Sequence, residues 1–290
     1  IGVVLSGTGS DGAQGLARIK EMGGLPVVQD PEEAEYDSMP RSAIALGQVD
    51  LVLPVAEIPS RIAAYVERAP ALPLPKEAGA LPESLRVALQ QLLALVRVHT
   101  GLDFSRYKRG TLVRRIQHRM QLYGLQEMEA YVGRLRADPG EVRALANDLL
   151  ISVTNFFRDR AAFALIEREV IPQLFEGKTA GEPVRVWVAG CATGEEAYSL
   201  AILLLEYAYR TKEGHSVQVF ATDLSEAALQ RAREGFYPET IAEDISPERL
   251  ARFFTQEKGG YRVRKEVREI VLFAPHNLLK DPPFSKVDLI

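Results

Sequence analysis

One stretch, VRVWVAGCATGEEAYSLA at residues 184–201, constrains the fold more than any other part of the chain. A run of β-branched and aromatic residues ends at a loop with Gly190 and Gly194, and a long apolar pattern at helical spacing follows. This order is typical of a parallel α/β sheet, because a parallel strand needs a helical crossover to reach the next strand. The stretch therefore predicts a doubly wound, Rossmann-like sheet.

The chain divides into an α/β region, a helical region and a second α/β region. Residues 1–68 alternate short apolar runs with helical patterns, which predicts part of an α/β domain. The proline-rich stretch 69–82 has no periodicity and predicts a linker. Residues 83–155 predict a small all-helical domain. Alternation returns over 156–290, where we expect the Rossmann-like sheet with a small antiparallel β insert at about 238–275.

The composition excludes some classes of protein but does not indicate a ligand. The 290 residues are 47% apolar with a formal net charge of −4, and no apolar run approaches the ~20 residues that cross a bilayer. Cys191 is the one cysteine, and the four histidines have no ligand spacing. We therefore expect a cytoplasmic protein without membrane insertion, disulfide or metal. Ile1 and Ile290 both lie inside strand-like runs, so we interpret the chain as part of a longer protein.

Two acidic residues, Glu195 and Glu196, follow the glycine loop where many α/β proteins bind a phosphate. Acidic residues would repel a phosphate, so one interpretation is that they only complement the helix dipole. The other is a positively charged nucleoside ligand without phosphate, such as S-adenosylmethionine. Asp223, 33 positions after Gly190 at the end of the next predicted strand, could then accept both ribose hydroxyls. These residues alone leave both interpretations open.

Five stretches of residues 83–290 point to a known family in their order and spacing. They are YKRGTLVRRIQHRM, LLISVTNFFRD, WVAGCATGEEAYSLA, FATDLSEAALQRAREGFY and FAPHNLL. This part of the chain resembles the CheR-type chemotaxis receptor methyltransferases. The resemblance implies methyl transfer from S-adenosyl-L-methionine to a glutamate side chain of a receptor, which yields a glutamyl methyl ester.

The resemblance also assigns site residues. It implies that Thr154 and Arg158, in the TNFFR segment, contact the cofactor, and that Arg158 pairs with its carboxylate. It implies that Glu195 faces the methionine part or the neighbouring ribose and that Asp223 binds the ribose. The full implied cofactor set is Ser152, Thr154, Arg158, Glu195, Asp223, Asn277 and Leu278. The last two would flank the adenine, although an ordinary turn would explain them as well.

The implied reaction does not require acid–base catalysis by the protein. A glutamate acceptor is already ionised at neutral pH, so we expect no general base. The site has to align donor and acceptor and exclude water. We expect Phe156 and Phe157 in the core, and we expect Cys191 to fill space rather than react.

A strongly basic stretch lies in the helical region. Between Phe104 and Gln126 there is no acidic residue, and the cationic residues are Arg106, Lys108, Arg109, Arg114, Arg115 and Arg119. A solvated helix face or a nucleic-acid surface would each explain such a run, but aromatic residues for base stacking are sparse. The resemblance favours docking of the acidic cytoplasmic helices of a chemoreceptor. The implied docking residues are Arg109, Arg114, Arg115 and Arg119, and we expect no nucleic-acid partner.

The first region contains a second strand, glycine loop and helix pattern. The stretches LSGTGSDG, VVQDPEEA and MPRSAIALGQVDLVLP are similar, in this order, to the C-terminal half of CheB-type receptor methylesterases. The resemblance makes Asp11 the acid of a Ser-His-Asp triad. Because residues 1–98 contain no histidine, the triad is incomplete, and we expect no esterase activity. Physically, Asp11 is expected to act as a turn or N-cap residue.

Three hypotheses follow for the function. The first is a methylesterase–methyltransferase fusion that methylates receptors in chemotaxis signal transduction. The second is a non-catalytic module that senses the cofactor or docks a receptor. The third is a methyltransferase with a nucleic-acid or small-molecule substrate. The family motif expected after residues 286–290 is missing from the sequence, so we expect weak cofactor binding by the chain on its own.

Overall fold

The computed structural model describes residues 1–67, 82–150, 154–179, 181–211 and 214–290. The chain forms two compact units, Ile1–Ile151 and Ser152–Ile290. Most of the predicted linker, 69–81, lies outside the described residues. Within the described ranges, no helix is both long and apolar enough to cross a bilayer.

The first unit begins with a three-stranded parallel sheet in the order β1-β2-β3. The central strand is buried along its whole length because helices cover it, which explains its continuous apolar run. A short helix over MPRSAIA was not expected from the sequence, but its proline lies in the first turn, where it costs no hydrogen bond. The elements are β1 (Gly2–Val4), α1 (Ala13–Glu21), β2 (Pro26–Gln29), α2 (Ser38–Ala45), β3 (Leu51–Leu53) and α3 (Ile58–Glu67).

The rest of the first unit is helical, as the spacing of its apolar residues predicted. Leu92, Val113, Ile116 and Tyr131 are fully buried in one core shared by all four helices. Asp138 caps the last helix through hydrogen bonds from two backbone N–H groups. The helices are α4 (Glu83–Thr100), α5 (Arg109–Leu122), α6 (Met128–Ala137) and α7 (Pro139–Leu149).

The second unit is a mixed α/β domain with two separate sheets. Phe156 and Phe157, expected in the core, are buried in the main cluster. Its helices and strands in chain order are α8 (Arg160–Leu165), a π-helical turn (Ile166–Val170), α9 (Ile171–Phe175), β4 (Val184–Ala189), α10 (Glu195–Thr211), β5 (Val217–Asp223), α11 (Glu226–Glu234), β6 (Phe236–Pro238), a 3₁₀ turn (Glu239–Glu243), α12 (Pro247–Phe253), β7 (Phe254–Glu257), β8 (Gly260–Val263), α13 (Lys265–Glu269) and β9 (Val271–Pro275).

The main sheet of this unit is parallel, as expected, in the order β4-β5-β9. On the other side of β4, Val186 forms a parallel bridge with Leu289. After β4 the chain adds β5 and then β9 on one side, and it then returns to place Leu289 on the other side of β4. The strand order therefore reverses beside β4. Ligands of open parallel sheets bind at such a reversal, outside the carboxyl ends of the strands.

The antiparallel insert is smaller than expected. Its sheet has the order β6-β8-β7, and all its pairs are antiparallel. The expectation that it extends to residue 275 is wrong, because Lys265–Glu269 is helical and Val271–Pro275 is the third parallel strand of the main sheet. A short apolar run does not reveal from its sequence whether its partner strand is parallel or antiparallel.

Candidate cofactor site

The loop between β4 and α10 is shaped by residues in the left-handed region. Gly190, Ala192 and Gly194 have φ angles of 74°, 48° and 96°. A Cβ on Gly194 would lie 2.9 Å from the Cβ of Ala232 and 3.1 Å from the Cζ of Phe273, so only glycine fits there. A Cβ on Gly190 would meet no atom within 4 Å. The loop is therefore packed at one end and open at the other.

Asp223 holds this loop to the end of β5. Its two carboxylate oxygens accept the backbone N–H groups of Ala192 at 2.9 Å and Ser225 at 2.8 Å. The orientation of the carboxylate is thereby fixed at the mouth of the loop. A carboxylate has about four acceptor positions, so it can accept further hydrogen bonds from a ligand.

Glu195 begins α10 with its side chain turned inward. The residue is 9% exposed, and its Oε2 accepts a hydrogen bond from the Thr193 hydroxyl at 2.6 Å. Burial raises the pKa of this carboxyl to about 7, against the smaller opposing effect of the Thr193 hydrogen bond. A cationic ligand would favour the ionised form and so gain from this carboxyl.

The TNFFR segment is tied to the same turn of α10. Phe157 donates its N–H to the hydroxyl of Ser199 at 3.1 Å, and that hydroxyl donates to the carbonyl of Glu195 at 2.7 Å. Phe157 has a φ of 49°, an uncommon conformation that this contact supports. Within the segment Thr154 is half-buried and Arg158 is exposed. The segment thus lies beside the start of α10, and the contact of Thr154 and Arg158 with the cofactor stays a prediction.

A second carboxylate near Glu195 was missed by the sequence analysis. Asp244 accepts a hydrogen bond from the side chain of Asn155 at 3.0 Å, and its other oxygen is buried without a hydrogen-bond partner among the described residues. Its charge contributes to the raised pKa of Glu195. Asn155 lies inside the TNFFR motif, but 89 positions separate it from Asp244, so no local pattern joins them.

The turn after β9 carries the remaining expected residues. His276 donates its N–H to the carbonyl of Asp223 at 3.1 Å, which ties this turn to the end of β5. Asn277 accepts the N–H of Leu279 at 3.0 Å, and its own N–H donates to Asp281 at 2.7 Å. Leu278 is 60% exposed. The turn alone explains Asn277, and the adenine-flanking role of both residues stays a prediction. Ser152 lies outside the described residues.

The basic stretch in the first unit is only partly available to a partner. Arg109 and Arg114 are exposed. The expectation that Arg115 and Arg119 dock a partner needs correction, because Arg115 is buried and Arg119 is largely covered and paired with acids of α7. Arg115 donates to the carbonyl of Lys20 at 2.6 Å, and Arg119 donates to Glu141 at 2.9 Å. Successive residues of a helix point about 100° apart, so a run of arginines does not share one face.

Asp11 lies in an exposed turn before α1. The helix is preceded by Gly12, and no side chain caps its first turn, so Asp11 is a turn residue rather than an N-cap.

The fold and these contacts define a class of protein. A parallel sheet with reversed strand order carries a glycine loop, a carboxylate at the end of the second strand and an acidic helix start. Such a Rossmann-like arrangement suits a nucleoside ligand with positive charge better than a phosphate.

Comparison with known families identifies the particular group. Family models match in three stretches: CheB methylesterase over residues 1–62, the CheR methyltransferase all-alpha domain over 88–150, and the CheR methyltransferase SAM binding domain over 152–290. The chain therefore belongs to the CheR methyltransferase family, with a CheB methylesterase segment before it. S-adenosyl-L-methionine is the cofactor, and the acidic site at the glycine loop fits its positive charge.

Individual relatives agree with this assignment. The chemotaxis protein methyltransferase of Listeria innocua is 31% identical over 68% of this chain and 72% of its own length. That of Escherichia coli strain K12 is 32% identical over 66% of this chain and 65% of its own length. An uncharacterized 104.1 kDa protein of Rhodobacter capsulatus is 40% identical over the whole chain, which spans 32% of that protein.

Proposed function

We propose that this protein transfers a methyl group from S-adenosyl-L-methionine to glutamate side chains of a chemoreceptor-type protein in the cytoplasm. The observation that carries the proposal is the pair of carboxylates, Glu195 and Asp223, held at the open glycine loop. The bound cofactor supplies an electrophilic methyl group on a sulfonium. A site with this charge suits such a ligand and disfavours a phosphate.

The chain's own residues position the reactants. Asp223 accepts the ribose hydroxyls, while Glu195 and the neighbouring Asp244 favour the cationic part of the cofactor. Arg158 pairs with the cofactor's carboxylate. The acceptor glutamate is ionised at neutral pH, so the protein has to align it and exclude water rather than move a proton.

The proposed partner surface consists of the exposed first turns of α5 and the turn that precedes this helix. Arg106, Lys108, Arg109 and Arg114 are exposed there, and α5 has no acidic residue in its first turn. We name these four residues the docking patch. It is complementary to the acidic helices of a receptor, and such complementarity mainly raises the association rate and sets orientation.

The test is transfer of labelled methyl groups from S-adenosyl-L-methionine to a receptor cytoplasmic fragment. We expect base-labile labelling that disappears when the receptor's acceptor glutamates are changed to glutamine. Labelling of nucleic acid instead of receptor would contradict the proposal. Cofactor binding without transfer to any receptor would indicate the alternative, a non-catalytic cofactor-sensing module.

The docking patch has a separate test. Changing Arg109 and Arg114 to glutamate should raise the KM for receptor by about tenfold or more at low salt, with kcat little changed, because the patch acts on association. Arg41→Glu is the matched control, since Arg41 is also exposed in the first unit but lies outside the patch. An equal effect of all three changes would reduce the patch to a nonspecific charge effect.

A further inference from the structure

The basic helix α5 has a face that is already occupied within the first unit. Leu122 packs against the apolar cluster of Leu25, Val27 and Ile58 in the α/β part. Gln121 donates to the carbonyl of Tyr65 at 2.6 Å. Arg115 donates to the carbonyl of Lys20. Residues 115, 118 and 122 are spaced as one helical face, so this face of α5 lies on the α/β part.

Charged side chains also link the α/β part to the helical part. Lys20, at the end of α1, pairs with Asp50 and, at 3.2 Å, with Asp148 of α7. Asp50 also contacts Nε2 of His118 at 2.7 Å, and Nδ1 of His118 contacts the hydroxyl of Tyr65 at 3.0 Å. The side chains of Asp50 and His118 are each 1% exposed. We call Lys20, Asp50, Tyr65 and His118 the junction cluster.

The cluster is continuous with charges inside the helical part. Asp148 accepts a hydrogen bond from Arg119 at 3.2 Å, and Arg119 pairs with the buried Glu141. Glu141 also accepts the hydroxyl of Tyr131 at 2.5 Å. Helix α5 has no acidic residue of its own. The acids that pair with its basic side chains are therefore Asp50, directly before β3, and Glu141 and Asp148 of α7. Removing one partner of a buried pair leaves an uncompensated charge, which is strongly destabilising.

The pairing also acts on the acids themselves. Burial alone would raise the pKa of Asp50, but hydrogen bonding and charge from His118 and Lys20 outweigh it, so the pKa lies below its usual value. Burial likewise opposes, but does not overcome, the hydrogen bonds from Arg119, Tyr123 and Tyr131 that lower the pKa of Glu141. Both carboxyl groups are thus ionised at neutral pH, Asp50 in the junction cluster and Glu141 inside the helical part.

We propose that the methylesterase-like segment, residues 1–67, serves in this chain as a brace for the helical domain, which it joins through the junction cluster into one cooperative folding unit. The brace is a structural role that requires no catalytic residue from this segment. It also determines which arginines of α5 face outward, because it takes Arg115 inward. The proposal does not depend on the activity of the second unit.

Hydrogen exchange on the full chain tests the brace. Asp50→Asn should speed exchange by tenfold or more in α5 and α7 as well as in β2 and β3, and lower the first unit's Tm by on the order of 10 °C. Asp37→Asn is the matched control, because Asp37 forms an exposed pair with Arg41 in the same segment. It should change neither readout. Amides of β4 and α10 in the second unit serve as an internal reference.

A milder variant keeps the test decisive if Asp50→Asn prevents folding. Tyr65→Phe removes only the hydroxyl that contacts His118, and Tyr36→Phe is its exposed control. We expect Tyr65→Phe alone to speed exchange in α5 by several-fold. Faster exchange confined to residues 1–67, with α5 and α7 unchanged in either junction variant, would overturn the proposal, since the two segments would then fold independently.

Discussion

The two units each contain a parallel strand, a glycine-bearing loop and a helix, yet only the junction in the second unit has the acidic side chains of the proposed cofactor site. After β1, the N–H of Ser6 donates to Gln29 at the end of β2 at 2.8 Å. After β4, the N–H of Ala192 donates to Asp223 at the end of β5. The scaffold is the same, and the difference lies in the group at the strand end: a neutral amide in one case and a carboxylate in the other.

The two loops are packed in a similar way. In the first junction, a Cβ on Gly7 would lie 2.2 Å from the Sδ of Met39. The N–H of Gly9 donates a hydrogen bond to the Ser38 hydroxyl, and the carbonyl of Gly9 accepts one from the Ser42 hydroxyl. Met39, Ser38 and Ser42 belong to α2, which packs against the loop. A Cβ on Gly9 or on Gly190 would meet no atom within 4 Å, so each loop is packed at one glycine and open at another. Glycine serves the backbone in both loops, and the charge at the strand end is what distinguishes the second junction.

The largest expected effect comes from removing the charged strand end. Asp223→Ala should weaken S-adenosyl-L-methionine binding by about 100-fold or more in calorimetry, because it removes the proposed ribose acceptor and leaves the N–H groups of Ala192 and Ser225 without their partner. Gln29→Ala, the matching change in the first junction, should lower stability but leave cofactor affinity unchanged.

Asp223→Asn sharpens the same comparison, since it gives the second junction the neutral amide of the first. It retains one oxygen acceptor for the loop, so the affinity should fall between those of wild type and Asp223→Ala. Equal affinity of Asp223→Asn and wild type would contradict the role given to the charge.

The next effect tests the packing of the loops. Gly194→Ala should destabilise the second unit by about 2–4 kcal/mol, because the left-handed backbone and the crowded Cβ both contribute. Gly9→Ala meets no atom within 4 Å, so it carries the backbone cost alone, about 1–2 kcal/mol. Thermal unfolding of both variants measures the difference. A larger loss for Gly9→Ala would show that the crowding at Gly194 relaxes.

A smaller effect separates the two helix starts by pH. The helix after the first loop has no acid in its first turn, whereas burial raises the pKa of Glu195 to about 7. The folded protein therefore binds an extra proton between about pH 4.5 and 7, and the stability from this group is lost as pH rises through that window.

Cofactor affinity should follow the ionised fraction of Glu195. It should increase about tenfold between pH 6 and 8, with proton release near pH 6 that calorimetry in buffers of different ionisation enthalpy detects. Glu195→Gln should bind more weakly and with a flat pH profile over this range. A pH dependence retained in Glu195→Gln would assign the titration to another group.

Local signals were enough to predict the site's scaffold from the sequence. Glu195 and Asp223 each follow directly from a strand, loop and helix pattern, so their neighbourhood is fixed by short-range order. The inward direction of Arg119 depends on Glu141, 22 positions away, and the role of Asn155 depends on Asp244. Such pairings are set by tertiary packing, which a helical or strand period does not encode.

The smallest expected effect concerns the acid of the first junction. Asp11 is exposed in a turn, and surface substitutions of this kind change stability by within about 0.5 kcal/mol. Asp11→Ala should therefore shift the Tm by no more than about 2 °C and leave cofactor affinity unchanged. Asp37→Ala provides an exposed control in the same segment.

The same variant tests whether the methylesterase segment is catalytically silent. A triad aspartate acts only through a histidine that activates a nucleophile, and residues 1–98 contain no histidine. The chain should release no methanol from methylated receptor above the background rate, with or without Asp11. Methanol release that Asp11→Ala abolishes and Asp37→Ala preserves would contradict this expectation, because Asp11 would then belong to a working triad and the first junction would be a catalytic site after all.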